Sequence, residues 1–263
     1  MVQAMQKVVR YQNKSGQIYY GLAEDGRILQ ISSDFGELVN ENTEHQGVYV
    51  EYSDVKILEP VAPSKVINFG WTYPKHAEET GGQAHLKEPF LFLKPATCLI
   101  PNGGSIMLPP RNLTQQVEME GEVALVVGKR GKNIKEEEAL DYIFGCTIFN
   151  DVTARDLTKT DPQFTRGKGF DTFGPLGPWI VTGVDPTNLQ ITTTLNDKVV
   201  QEGNTNQMSF SVPYLISWIS QIMTLEPGDI LATGSPPGSC PMQPGDVVSV
   251  EVENIGKLVN HIA

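Results

Sequence analysis

Three acidic residues of the 263-residue chain have the types and spacing of a site for a hard cation. Glu120 and Glu122 stand two residues apart at the start of the apolar run EVALVVG, and Asp151 follows the apolar run IFGCTIFN. Residues two apart on a strand point to the same face of a sheet. If Asp151 meets the two glutamates, repulsion raises their pKa values unless a cation neutralises them. Oxygen ligands without imidazole or thiolate favour Mg²⁺ or Mn²⁺; the alternative is a pair of glutamates that faces solvent.

A histidine and a glutamate in the segment His76-Ala77-Glu78-Glu79 could form a second reactive pair. On a helical turn, His76 and Glu79 lie three residues apart and can touch, so the carboxylate would orient the imidazole and raise its basicity. Such a pair can act as a general base for water. The segment differs from the H-E-x-x-H pattern of zinc proteases, because it has a single histidine. The alternative is an ordinary surface pair.

Short β-rich segments would position these groups. The stretches EVALVVG, IFGCTIF, PWIVTG, ITTTLND and DVVSVEVE are rich in β-branched residues and bounded by Gly, Pro, Asn or Asp, as strands are. Two Pro-Gly-Asp sequences, at 227–229 and 244–246, predict type II turns. Apolar residues at three- and four-residue steps predict an amphipathic helix between Ser211 and Met223, and KEEEALDYI predicts a second, shorter helix. Residues 80–89 predict a mobile loop.

The chain divides by pattern into residues 1–62, a small N-terminal β-rich module, and residues 63–263, the main domain. The first part alternates KVVRYQ, QIYYGLAED and RILQIS with polar or glycine-containing breaks, which suits small antiparallel hairpins. Pro60 and Pro63 bracket a short connector, since each fixes its own φ and extends its predecessor. The predicted fold class is therefore mixed and β-rich, of the α+β type.

Composition narrows the possible partners. The 20 Lys and Arg against 31 Asp and Glu give a net charge of −11, which disfavours binding to nucleic acid. The N-terminus does not resemble a signal peptide and no run approaches the roughly 18 apolar residues of a membrane span, so a cytoplasmic protein is expected. Three dispersed cysteines, Cys98, Cys146 and Cys240, argue against a disulfide framework or a zinc site and are expected to be buried.

Seven segments of the chain, taken in order, closely resemble the fumarylacetoacetate hydrolase family over residues 64–262. They are Gly70-Trp71-Thr72-Tyr73 with His76 and Glu79, Phe92-Leu93-Lys94-Pro95, VEMEGEVALVVGK, NDVTARD, GKGFDTFGPLGPWIV, NTNQMSFSVPYLISWIS and LEPGDILATGSPPG. The resemblance implies the β-roll or sandwich of that family's C-terminal domain, and a homodimer.

The resemblance also implies roles for individual residues. It gives Mg²⁺ or Mn²⁺ three ligands, Glu120, Glu122 and Asp151, and places Lys168 beside the ion as a catalytic residue. His76 and Glu79 become the pair that activates water. The implied substrate contacts are Lys94, Tyr73, Thr172 and Thr233. The chain departs from the family pattern at Thr72, Gly169 and Thr158; Thr158 replaces a glutamine that would contact substrate, which leaves the substrate's identity open.

The expected activity is metal-dependent cleavage of a carbon–carbon bond in a small 2-oxo acid. An acylpyruvate-like 2,4-dioxo acid would release a pyruvate-type enolate that the ion and Lys168 stabilise, with His76 and Glu79 activating water. Oxaloacetate decarboxylation, or isomerisation or decarboxylation of a 2-hydroxy-diene-dioate, is the alternative on the same site. A β-rich binding module without catalysis is a further alternative from a different class.

Overall fold

The computed structural model describes residues 4–39 and 47–263 and shows a strand-rich α+β fold. The helices are α1 (Phe35–Val39), α2 (Pro74–Thr80), α3 (Arg155–Thr160), α4 (Thr165–Lys168) and α5 (Val212–Ile222), with 3₁₀ helices at Tyr52–Asp54, Ala96–Cys98, Glu136–Tyr142 and Thr205–Gln207. The strands are β1 (Lys7–Gln12), β2 (Ile18–Glu24), β3 (Arg27–Ser32), β4 (Tyr49–Glu51), β5 (Lys56–Ile57), β6 (Val66–Gly70), β7 (Phe90–Lys94), β8 (Leu99–Ile100), β9 (Ser105–Ile106), β10 (Val117–Glu118), β11 (Gly121–Val127), β12 (Ile143–Asn150), β13 (Thr153–Ala154), β14 (Gly174–Val181), β15 (Gln190–Leu195), β16 (Lys198–Asn204), β17 (Ile230–Ala232), β18 (Val247–Val252) and β19 (Gly256–Ile262).

Most strands belong to two sheets. The larger sheet runs β4-β3-β2-β1-β14-β12-β11-β17-β6-β7, and the smaller runs β16-β15-β18-β19-β9. Within the larger sheet, β11 is antiparallel to both β12 and β17, and every one of its residues is buried. A strand that is paired on both edges and buried on both faces has a sequence that is apolar throughout. This explains the sequence EVALVV and places its first residue, Glu122, deep inside the protein.

Two cores cover the faces of β11. Val123, Leu125 and Val127 pack in one hydrophobic cluster with residues of the smaller sheet and of α5, whereas Ala124 and Val126 pack in another. This alternation follows the two-residue period of a strand. The α5 helix begins after Ser211, whose side chain caps it by accepting a hydrogen bond from Tyr214 N. It buries Leu215, Ile216 and Ile219, which matches the predicted amphipathic helix; each such side chain contributes about 1.5–3 kcal/mol.

Several local predictions can be compared directly with the structure. Both Pro-Gly-Asp turns are present: Gly228 and Gly245 have φ values of 88° and 92°, and β17 and β18 follow them. The acidic segment forms a 3₁₀ helix, Glu136–Tyr142. Cys240 is only partly buried, so the expectation that all three cysteines are buried is wrong at this position. No helix in the described ranges is long and apolar enough to cross a bilayer.

The N-terminal strands form the predicted antiparallel hairpins, with β2 between β1 and β3. They are also joined to the main sheet, since β1 pairs with β14 through Lys7 with Val181 and Val8 with Ile180. Division of the chain at residues 62 and 63 stays a prediction, as does a homodimer. The sheet itself runs through both parts.

Candidate metal and catalytic site

The three predicted carboxylates converge. Glu120 immediately precedes β11, Glu122 is the second residue of that strand, and Asp151 follows the end of β12. Because β11 and β12 are antiparallel, with Gly121 opposite Asn150, Glu120 and Asp151 meet at the same end of the pair. Asp151 N donates to Glu120 O over 2.8 Å, and one ligand atom from each of the three carboxylates lies within 4.8 Å of the others. All three side chains are buried.

Three cationic side chains surround this carboxylate cluster. Lys168 Nζ lies 2.7 Å from Glu120 Oε2 and 2.5 Å from Asp151 Oδ2, so it bridges the two acids. Lys94 Nζ lies 2.7 Å from Asp151 Oδ1. Arg155 links Glu118 and Glu120, with its Nε 2.7 Å from Glu118 Oε2 and its Nη2 on Glu120.

The electrostatics single out Glu122. Burial alone would raise the pKa of Glu120, but Lys168 and Arg155 hold that pKa well below its usual range. Burial and the neighbouring Asp151 instead raise the pKa of Glu122 well above its usual range. Among the contacts of the described residues, the Glu122 side chain accepts one hydrogen bond, from Gly234 N at 2.9 Å. One carboxylate of the cluster therefore lacks a bound positive charge.

A hard divalent cation fits this donor set. The ligand atoms are three carboxylate oxygens close enough to share one ion, and one of the carboxylates is destabilised by its acidic neighbour. A dication removes that repulsion and leaves coordination positions for water and substrate. Glu120, Glu122 and Asp151 are the residues that would hold it.

The second predicted pair lies on α2 beside the cluster. His76 is buried; its Nδ1 is 3.5 Å from Glu79 Oε2 and its Nε2 is 3.5 Å from Glu120 Oε1. Burial lowers the pKa of His76, but the interactions with Glu120 and Glu79 outweigh it, and that pKa lies above its ordinary value. Both separations are at the outer limit of a hydrogen bond, and such contacts often shorten only when substrate binds. One ring nitrogen therefore faces Glu79 and the other faces the acids.

A single segment, residues 234–238, contacts both groups through its backbone. Gly234 N donates to Glu122, and Gly238 N donates to Glu79 Oε2 at 2.9 Å. The buried Gln201 of β16 holds the segment, because its Nε2 donates to Ser235 Oγ and to Pro236 O. Its Oε1 accepts from Gly121 N, between Glu120 and Glu122. The segment 234–238, held by Gln201, therefore positions both the carboxylate cluster and the His76–Glu79 pair.

A cleft lies at this carboxylate cluster. Its lining includes the three acids with His76, Arg155 and Lys168, and the rings of Trp71, Phe92 and Phe164. Lys168 Nζ lies 5.0 Å from the centroid of the Phe92 ring. The cationic groups of this lining suit a ligand that carries negative charge.

Comparison with known proteins identifies the family. The model of the fumarylacetoacetate (FAA) hydrolase C-terminal domain matches residues 65–263. The chain belongs to this family. A protein of Archaeoglobus fulgidus without assigned function is 45% identical over 94% of this chain and 92% of its own length. The mitochondrial oxaloacetate tautomerase of Homo sapiens is 41% identical over 80% of this chain and 70% of its own length. The 2-hydroxyhepta-2,4-diene-1,7-dioate isomerase structure from Mycobacterium marinum is 36% identical over 98% of each chain, with a TM-score of 0.87.

The structure places the remaining residues implied by the family resemblance as follows. Lys94 is buried and engaged with Asp151, which puts it behind the acids. Tyr73 is buried in a hydrophobic cluster, and burial raises the pKa of its phenol. Thr233 donates its hydroxyl to Val123 O, and Thr172 accepts from Met107 N. None of these four is among the described residues that line the cleft. Their contact with substrate stays a prediction.

Other residues of this fumarylacetoacetate hydrolase family site were missed in the sequence. Arg155 lies inside the segment NDVTARD, and Glu118 stands two residues before Glu120, so both were within motifs that carried the resemblance. Glu118 belongs to β10, which pairs with the short strand β13 and not with β12. Arg155 immediately follows β13, so this strand pair brings the two residues together. The aromatic residues that line the cleft, Trp71, Phe92 and Phe164, come from three segments that are distant in sequence. No local pattern indicates that they meet.

Proposed function

We propose that this protein, with Mg²⁺ or Mn²⁺, hydrolyses the C3–C4 bond of a small acylpyruvate-like 2,4-dioxo acid. Water forms a bond to C4, the C3–C4 bond breaks, and its electron pair passes to C3 as the enolate of pyruvate. A proton then returns to C3, so the products are a carboxylic acid and pyruvate. The observation that carries the proposal is the buried convergence of Glu120, Glu122 and Asp151 beside the two-sided contact of His76.

The family assignment supports the general kind of reaction. Relatives are named as an isomerase of a 2-hydroxy-diene-dioate and as an oxaloacetate tautomerase. Both names describe an isomerisation or tautomerisation of a dicarboxylic acid that carries a 2-oxo or 2-hydroxy group. A divalent cation held by the three carboxylates would supply positive charge that polarises the carboxylate and 2-oxo oxygens of such an acid.

The side chains around the acids have separate tasks in this proposal. Lys168 holds positive charge in a buried position, where it stabilises the negative charge that develops on the 2-oxo oxygen. Glu79 Oε2, 3.5 Å from His76 Nδ1, would accept a hydrogen bond from that nitrogen once the contact shortens, and so orient the imidazole. Nε2, on the side of Glu120, would then take the proton of the attacking water. Gly238 N keeps Glu79 in place.

A second candidate is proton transfer at C3 of oxaloacetate, or its decarboxylation. The relative named oxaloacetate tautomerase favours it. Neither reaction adds water to the substrate, so neither requires His76 to activate a water molecule. The role of His76 therefore discriminates between the two candidates.

The test compares acetylpyruvate and oxaloacetate, each after exhaustive chelation and again with Mg²⁺ added. We expect pyruvate release from acetylpyruvate only with the cation, and a loss of about 100-fold or more in His76→Gln. Exchange of the C3 protons of pyruvate in D₂O, followed by NMR, should persist in that variant. The exposed His261→Gln is the matched control.

Two results would contradict the proposal. Activity that survives chelation excludes the assigned role of the three carboxylates. Full hydrolysis of acetylpyruvate by His76→Gln excludes water activation by this residue. Turnover of oxaloacetate alone, unaffected by the substitution, supports the second candidate.

A further inference from the structure

A buried carboxylate outside the proposed ligand set, that of Glu118, lies against the site. It is not among the described residues that line the cleft. Its two oxygens accept three hydrogen bonds, from Gln116 Nε2 at 2.6 Å, Arg155 Nε at 2.7 Å and Ser239 Oγ at 3.2 Å. Donors from three separate segments hold a buried carboxylate in one orientation. The Glu118 carboxylate is therefore fixed, with Oε2 directed at Arg155.

Arg155 connects this carboxylate to the cleft. The arginine is buried, its Nε contacts Glu118, and its Nη2 contacts Glu120. Arg155 also lines the cleft, whereas Glu118 lies behind it. A guanidinium is a rigid planar group, so a contact at Nε fixes the directions of the terminal nitrogens as well. Glu118 therefore determines where the positive charge of Arg155 meets Glu120.

Glu120 has two cationic partners, one at each oxygen. Lys168 Nζ lies 2.7 Å from Oε2, and Arg155 Nη2 contacts Oε1. Two positive charges on one carboxylate oppose the binding of a dication by that carboxylate, because charges interact strongly in a buried site. Glu118 weakens this opposition, since it places a negative charge on the same guanidinium.

The formal charges of the buried groups show what Glu118 contributes. With the imidazole of His76 neutral, the three proposed ligands are balanced by three cationic side chains, those of Lys94, Arg155 and Lys168. Glu118 is the additional acid in contact with this group, and it makes the net charge negative. A buried group with net negative charge attracts a dication more strongly than a neutral one. After a dication binds, the net charge is positive, which suits an anionic substrate.

We propose that Glu118 is a positioning residue for cation binding: it holds Arg155 at Nε and offsets its charge, so that Glu120 stays available as a ligand. Glu118 is not itself a ligand and acts through Arg155. This inference rests on the proposed function for the cation at the three carboxylates. It adds a residue that controls how tightly the cation is held.

The affinity for Mn²⁺, measured by titration calorimetry, tests this role without turnover. Glu118→Gln should bind Mn²⁺ about 10-fold or more weakly than the wild type, because Arg155 then directs its whole charge to Glu120. Unfolding in the presence of a chelator checks that the variant is folded. The matched control is Glu59→Gln, which removes a carboxylate 3.0 Å from Arg10 of β1. It should leave the dissociation constant within about twofold.

A double-mutant cycle tests whether Glu118 acts through Arg155. Arg155→Met should bind Mn²⁺ at least as tightly as the wild type, because a cation beside Glu120 is gone. Adding Glu118→Gln to Arg155→Met removes both partners of the ion pair and should change the dissociation constant by less than about threefold. This comparison also tests the proposal if Glu118→Gln alone does not fold.

The outcomes separate this role from the proposed reaction. Wild-type affinity in Glu118→Gln overturns the role of Glu118. An equal loss of affinity in the wild-type and Arg155→Met backgrounds also overturns it, because Glu118 would then act on the ion without Arg155. The expected pattern of dissociation constants without release of pyruvate from acetylpyruvate leaves the role of Glu118 standing and overturns the proposed hydrolysis.

Discussion

Glu122 differs from its two acidic neighbours in that it forms no ion pair with any of the residues that the structure describes. Glu120 contacts Lys168 and Arg155, and Asp151 contacts Lys94 and Lys168, whereas Glu122 accepts a hydrogen bond from the backbone of Gly234. A buried carboxylate next to other carboxylates destabilises the fold unless an ion binds. The same residue should therefore determine both cation affinity and stability without the cation.

Glu122→Gln should lower turnover by on the order of 10³-fold, because loss of one ligand removes several kcal/mol of charge stabilisation. The amide can still accept from Gly234 N, so the fold should persist. Thermal unfolding is the second measurement. With a chelator present, the variant should unfold at or above the wild-type temperature, since a buried charge beside Asp151 is gone. Mn²⁺ should raise the wild-type transition by mass action and leave the variant's unchanged.

The matched control for this substitution is Glu251→Gln, which changes an exposed glutamate on the smaller sheet. It should preserve both turnover and the response to Mn²⁺. A Glu122→Gln protein that still gains stability from Mn²⁺ would show that the ion binds elsewhere.

The cysteines should differ in reactivity. Burial raises the pKa of Cys146 to about 12, so about one in 10⁴ of these thiols is ionised at pH 8. Burial also raises the pKa values of Cys98 and Cys240, but Cys240 is partly exposed whereas Cys98 is buried. An aromatic disulfide reagent should therefore modify Cys240 first in the native protein, and all three cysteines after unfolding. Cys240→Ser should remove the rapid phase; a rapid phase that remains would mean that one of the buried cysteines becomes accessible.

At the scale of elements, the segment 234–238 contacts both the carboxylate cluster, at Glu122, and the His76–Glu79 pair, at Glu79. Gly238 has a φ of 105°, and a Cβ at this position would overlap the carbonyl oxygen of Val200. The backbone must therefore move to accept any side chain. That movement displaces the N–H that holds Glu79.

Gly238→Ala should lower kcat about 10- to 100-fold, as expected when a catalytic pair is misplaced by about 1 Å. Gly245→Ala is the matched control. Gly245 also has a positive φ, 92°, but a Cβ there meets nothing within 4 Å, and the turn lies outside the site. The control should lose about 1–2 kcal/mol of stability from backbone strain alone. Its kcat should stay at the wild-type value; equal losses of kcat in both variants would exclude the proposed role of the segment.

The sequence predicts elements whose cause is local. Apolar spacing predicts α5, and Pro-Gly-Asp predicts the turns before β17 and β18, because these patterns act within a few residues. The convergence of Glu120 and Glu122 also follows from the period of a strand. Arg155 and Phe164 could not be placed this way. Arg155 reaches Glu118 through a strand pair, β10 with β13, and Phe164 meets rings about 70 to 95 residues away in sequence.

At the scale of the whole molecule, the N-terminal hairpins and the catalytic sheet share a core. Val8, Tyr20 and Leu22 pack in the same hydrophobic cluster as Ala124 and Val126 of the central strand. The pairing of β1 with β14 adds backbone hydrogen bonding between the same regions. The proline-bracketed connector predicts two parts of the chain, but a common sheet and a common core make separate unfolding unfavourable.

Leu22→Ala tests this coupling, because Leu22 is buried in the shared cluster and lies on β2 of the N-terminal hairpins. The truncation should destabilise the protein by about 2–5 kcal/mol. Calorimetry with a chelator present should show one transition that moves as a whole to lower temperature, and loss of turnover should follow it. Val199→Ala, at a side chain that is 48% exposed, should move the transition little. The contrary result would be two transitions, of which only the one at lower temperature is shifted by Leu22→Ala. The first 62 residues would then fold as an independent unit, and the continuous sheet would contribute little to the stability of the candidate site.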